Sequence, residues 1–90
     1  MIADDARPRL PRGVRLREDK VRDRWVLLAP ERVVKVNPIA VEILKLVDGK
    51  RTLGGIIDDL AARFAAPREV LTTDVEAMLL DLADKGAIRL

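Results

Sequence analysis

Ninety residues, with 49% apolar content, 36% charged content and a single Trp and Phe, make one small domain whose core must be aliphatic. The lack of cysteine excludes disulfides and thiolate metal sites. No segment approaches the roughly 18 apolar residues of a membrane span, and Met1-Ile2-Ala3-Asp4-Asp5 lacks the basic start of a signal peptide, so the expected compartment is the cytoplasm. The net charge of +2 is unevenly spread. Residues 7–24 hold eight basic and three acidic side chains, whereas residues 25–90 hold nine and ten. A basic arm of this kind can meet nucleic acid, an acidic membrane or an acidic protein, or simply solvate a loose end.

In chain order, residues 1–12 carry Pro8 and Pro11 among charges with no periodicity, and read as a flexible N-terminal tail ahead of a domain spanning residues 13–90. Gly13 opens Val14-Arg15-Leu16-Arg17, whose alternation is that of a half-buried strand with its arginines outward. Trp25-Val26-Leu27-Leu28-Ala29 is apolar on both faces and reads as the central strand. Pro30-Glu31 makes a tight link to a third, β-branched strand, Arg32 to Val36. Three short strands with short links predict an antiparallel meander.

The period then changes. Asn37 caps a helix with Pro38 at its first position, followed by Ile39, Ala40, Ile43, Leu44 and Val47 and stopped by Asp48-Gly49. Thr52 caps a second helix with a stripe of Leu53, Ile56, Ile57, Leu60, Ala61 and Phe64. Gly54 and Gly55 weaken its first turn by roughly 1 kcal/mol each relative to Ala, a pattern expected where a neighbour comes close. Pro67 begins a third helix that runs to Lys85 and ends at Gly86. Ala87 to Leu90 reads as a short last strand. The fold class is α+β and winged-helix-like: three antiparallel strands, three helices and a short C-terminal strand.

The chain holds no His, Cys, Ser, Tyr or Gln. Acid–base work near neutral pH then falls to a strongly perturbed carboxylate or lysine, and nucleophilic work to Thr or Lys. Asp58 and Asp59 are neighbours on a helix and point about 100° apart, so they do not form a working pair. Oxygen-only cation cages and phosphate-cradling loops are missing, and no catalytic residue, metal or cofactor is expected. Nucleic acid is also disfavoured. From Pro67 to Asp84 the third helix carries Arg68 against Glu69, Asp74, Glu76, Asp81 and Asp84, a sign that phosphates repel.

What remains is binding of protein. The strand Arg32 to Val36 is the expected open edge, whose free N–H and C=O groups accept a strand from another chain. A proline at Val34 removes one such N–H if it faces outward. On the third helix, Leu71, Val75, Met78, Leu79 and Leu82 share one stripe, while Val70 and Leu80 lie off it.

Gly13-Val14-Arg15-Leu16, Arg24-Trp25-Val26-Leu27-Leu28-Ala29-Pro30-Glu31, Ile43-Leu44, Asp48-Gly49 with Arg51-Thr52, and Asp74-Val75 before Leu79 and Leu82 resemble the pyrroloquinoline quinone (PQQ) biosynthesis protein D (PqqD) family. The likeness runs from about Pro8 onward. Val47 stands where relatives often have Cys, and Met78 where an aromatic is common. The resemblance implies a winged-helix-like peptide chaperone that does no chemistry itself. It would bind the PqqA precursor peptide by strand addition and present it to PqqE, a radical S-adenosylmethionine enzyme. It further implies that Arg32, Val33, Val34, Lys35 and Val36 pair with the peptide backbone, and that Leu71, Asp74, Val75 and Met78 wall its groove. Arg15 and Arg17 are the candidates for docking the enzyme. An open edge also makes a strand-swapped homodimer an alternative to a monomer. Outside this family, the alternative is a winged-helix nucleic-acid-binding regulator or a general adaptor.

Overall fold

The computed structural model describes residues 2–90. Three strands, β1 (Arg15–Asp19), β2 (Arg24–Ala29) and β3 (Arg32–Val36), form one antiparallel sheet in the order β1-β2-β3. Three helices follow: α1 (Pro38–Leu44), α2 (Leu53–Phe64) and α3 (Arg68–Asp84). The α+β order read from the sequence is the order observed.

Alternation decides which face of the sheet is covered. Leu16, Leu27 and Val34 lie opposite one another across the three strands, so their side chains share a face. That face meets the helices. Leu27 is fully buried with Leu53, Ile56, Ile57, Leu60, Val75 and Leu79, and Leu16, Val34 and Val36 pack against this cluster. Trp25 lies on the same face, and the Lys45 ammonium sits 5.3 Å from its ring centroid, joining β2 to the end of α1.

The caps fall where the sequence puts them. Asn37 Oδ1 accepts the Ala40 N–H at 2.8 Å, and Thr52 Oγ1 accepts that of Gly55 at 3.1 Å. Helix α1 is shorter than expected and stops at Leu44. Two tighter turns, Leu46 N–H to Ile43 O and Val47 N–H to Leu44 O, carry the chain on and still bury Val47. Helix α2 ends at Ala65 in the left-handed region (φ 50°), and α3 ends at Gly86 (φ 74°), where only glycine avoids a steric cost.

The N-terminal segment departs from the flexible tail expected of it. Residues 2–12 form no helix or strand, yet they lie against the body. Ile2 and Pro8 are buried. The carbonyls of Ala6 and Asp4 accept the N–H groups of Leu53 at 2.7 Å and Gly54 at 2.9 Å, which are orphan donors at the start of α2. The neighbour expected at Gly54 is thus the chain's own N-terminal segment. The C-terminal strand is reduced to one antiparallel bridge between Arg89 and Arg9, with N–H to O distances of 2.8 and 2.9 Å. It pairs with that segment, and among the described residues both edges of the sheet stay uncovered.

Candidate functional site

Register fixes which backbone groups of β3 are free. A two-residue link joins β2 to β3, so the flanking pair Ala29–Arg32 is a hydrogen-bonded one. Alternation then makes Leu27–Val34 and Trp25–Val36 hydrogen-bonded pairs, and leaves Val33 and Lys35 in the intervening pairs. The N–H and C=O of Val33 and Lys35 therefore point away from β2. Among the described residues, no other backbone group meets them. The open row is Val33 and Lys35. Val34 faces β2, so the proline substitution expected to strip the edge at Val34 would instead break the ladder.

Among the described residues the outer edge of β1 is also free, but β3 is the edge strand whose two ends meet α3 and its apolar cavity. At one end, the Arg32 guanidinium donates to the Lys85 carbonyl at 3.4 Å, next to the last turn of α3. At the other end, Pro38 and Ile39, just beyond β3, share a cavity of about 420 Å³ with Leu71, Asp74 and Val75 of α3. These two contacts run α3 alongside β3 in the opposite direction. Ile43, Leu60 and Phe64 complete the cavity, whose wall is almost wholly apolar. Two carboxylates stand at its rim. Asp74 is exposed, whereas Glu42 is held by Arg63 at 2.9 Å. The hydrogen bond from Arg63 keeps Glu42 below the ordinary carboxylate range despite some loss of hydration, with Lys45 adding attraction.

The residues expected from the sequence divide accordingly. Val33 and Lys35 present free backbone. Arg32, Val34 and Val36 hold β3 to β2. Leu71, Asp74 and Val75 line the cavity, while Met78 is half-buried against the core farther along α3. The double duty asked of the α3 stripe has a physical division: Val75, Leu79 and Leu82 are buried, and Leu71 and Met78 are only partly so. Arg15 and Arg17 are exposed on the opposite face of the sheet, on the strand farthest from β3.

Two lining residues that belong to apolar helix stripes are exposed. Ile39, at the start of α1, is 71% exposed, and Phe64, at the end of α2, is 53% exposed. The available signal was Phe64 itself, the lone Phe of an aliphatic chain, set in the last turn of its helix.

Among the described residues no helix is long and apolar enough to cross a membrane, and no cluster of acids forms a cation site.

The family model for coenzyme PQQ synthesis protein D matches residues 24–88. A PqqA binding protein of Bradyrhizobium diazoefficiens is 54% identical over 85 residues, covering 94% of this chain and 82% of its own length. Another from Xanthomonas axonopodis is 45% identical over 89 residues, covering 99% and 97%. Among solved structures, the solution structure of the PqqD truncation of Methylobacterium extorquens PqqCD has a TM-score of 0.85 and 42% identity, covering all of this chain and 96% of that one. That protein is described as a functional, stand-alone recognition element for a ribosomally synthesized and post-translationally modified peptide. The crystal structure of PqqD from Xanthomonas campestris has a TM-score of 0.63 and 43% identity over the full length of both chains. The winged-helix-like sheet and helices, the identity across nearly all 90 residues and the family match agree: this chain belongs to the coenzyme PQQ synthesis protein D family.

Proposed function

We propose that this chain is a non-catalytic cytoplasmic peptide chaperone, which binds the PqqA precursor peptide by strand addition and presents it to the radical S-adenosylmethionine enzyme PqqE. The observation that carries the reading is the free backbone of Val33 and Lys35, on a strand that leads directly into Pro38 and Ile39 at an apolar cavity walled by α3. A guest strand completes the sheet at these two residues. Side chains on its inner side enter the cavity lined by Ile39, Phe64, Leu71, Asp74 and Val75, and Met78 stands farther along α3. Main-chain bonds hold the guest whatever its sequence, and the cavity selects among guests. Holding a disordered peptide beside the enzyme raises its effective concentration there, so the module itself needs no catalytic group. The relatives' designation as PqqA binding proteins supports the choice of guest.

Arg15 and Arg17 contact the enzyme, away from the guest. The same open edge admits a second copy, so the unliganded chain is a monomer or a strand-swapped dimer, and the guest competes with the dimer.

The test is titration of isotope-labelled protein with the precursor peptide and, separately, with a DNA duplex. Peptide-induced shifts at residues 32–36 and along α3 are expected. Shifts with DNA alone would sink the chaperone reading and favour a winged-helix regulator.

A further inference from the structure

We propose that the outer face of the sheet is a second docking surface, fitted to a folded protein that presents acidic side chains around an apolar contact. The inference rests on the chaperone reading and extends it from two arginines to a whole face with an apolar floor. Register sets Arg15 and Arg17 of β1, Arg24, Val26 and Leu28 of β2, and Val33 and Lys35 of β3 on the face that turns away from Leu27 and the helices. Solvated sheet faces normally carry polar residues throughout. Here three aliphatic residues occupy the middle.

Val26 is only 4% exposed although no helix covers it. Arg17 and Lys35 flank it directly in register, and both are exposed. Val33 is 57% exposed. A hollow of about 670 Å³ opens beneath the β1–β2 hairpin over Val26, Leu28 and Val33, with Arg17 and Arg24 in its wall. At the hairpin tip Val21 is 95% exposed.

The charges point to the partner's sign. This face and its hairpin carry Arg15, Arg17, Lys20, Arg22, Arg24 and Lys35 against Glu18, Asp19 and Asp23. The Arg24 Nε is buried without a hydrogen-bond partner, and its nearest acid, Asp19, stands at 3.7 Å. The three interspersed acids repel a polyanion, whereas a protein surface can answer them with cations of its own. Arginine mixed with an aliphatic floor is interface composition, and no aromatic on this face offers a base a stacking platform.

The two surfaces meet along β3. The backbone of Val33 and Lys35 belongs to the open edge, and their side chains belong to the outer face. A guest strand on that edge therefore extends the outer face with its own alternate side chains. The docked protein touches carrier and guest together.

The probe is the purified radical S-adenosylmethionine enzyme proposed above, titrated into labelled protein. Signals of Arg17, Val21, Arg24, Val26 and Leu28 are expected to broaden. Arg17→Glu and Val21→Asp, both at exposed positions that leave the core intact, are expected to weaken enzyme binding roughly tenfold or more, while peptide affinity stays within about twofold. Wild-type enzyme affinity in both folded variants overturns the proposal, as does equal loss of enzyme and peptide. Tighter binding of a DNA duplex or phosphatidylglycerol vesicles than of enzyme at these residues overturns it too. Enzyme binding that is lost in Arg17→Glu, in a chain that never binds the peptide, supports the docking face and refutes the chaperone reading alone.

Discussion

Lys35→Pro separates the open edge from the ladder that holds the sheet together. Lys35 sits in a non-hydrogen-bonded pair with Val26, so its N–H points outward and proline removes nothing that β2 uses. Proline is tolerated on an edge strand when its missing N–H faces solvent. A bound guest, however, is left with one unpaired carbonyl, at a cost of about 1–3 kcal/mol, and the ring obstructs close approach. At about 1.4 kcal/mol per tenfold, the dissociation constant rises roughly 5- to 150-fold. Calorimetry with the precursor peptide measures this, on a variant whose circular dichroism and melting match the parent. Lys35→Ala keeps the N–H and is expected to bind within about threefold of the parent. Val34→Pro, by contrast, deletes a donor to Leu27 and is expected to weaken the fold itself. A folded Lys35→Pro protein with parental affinity would refute the edge-pairing argument.

Ile2→Ala is expected to lower stability by about 2 kcal/mol in urea unfolding, because Ile2 is buried in the main core, and an unchanged midpoint contradicts the docking of the N-terminal segment. Ala65→Gly relieves a left-handed alanine at the end of α2 and is expected to stabilise by about 0.5–1 kcal/mol, read as a raised melting temperature; a lowered one contradicts it. Acid sensitivity follows from two carboxylates. Glu42 is held below its ordinary 4.5 by the hydrogen bond from Arg63, and Asp48 below its ordinary 3.8 by the backbone N–H groups of Arg51 and Lys50. The unfolded chain takes up these protons more readily, so their contribution is full above the ordinary values and is lost as pH falls from them through the lowered values of the folded state. Arg63→Met is expected to flatten that decline in urea midpoints measured from neutral pH downward, and an unaltered slope contradicts the assignment.

The parts of the fold legible in the sequence are those set by local chemistry. Arg32 to Val36 was bounded by a Pro-Glu link and an Asn-Pro cap, and β3 occupies those residues. Thr52 and Asn37 cap the helices they were expected to cap. The N-terminal segment was not legible, because Ile2 and Pro8 are buried by residues far along the chain and no period marks them. The same limit applies to Ile39 and Phe64. Helical spacing assigns a residue to a stripe, but the end of a stripe can project past the element it packs on. The open edge was legible as a strand and not as a row of particular donors. The side-chain pattern of Arg32-Val33-Val34-Lys35-Val36 alternates either way, and only the pairing of Ala29 with Arg32 decides that Val33 and Lys35 face outward. The basic segment was legible as a charge excess, but its placement on the outer face depends on register with β2.

Amide hydrogen exchange at Val33, Val34 and Lys35, with and without saturating precursor peptide, reads the state of each donor separately. In the free protein Val34 is expected to exchange slowly and its two neighbours fast. Peptide is expected to slow Val33 and Lys35 by roughly tenfold or more and to change Val34 little. Fast exchange persisting at Val33 and Lys35 in a peptide-saturated sample contradicts strand addition at this edge.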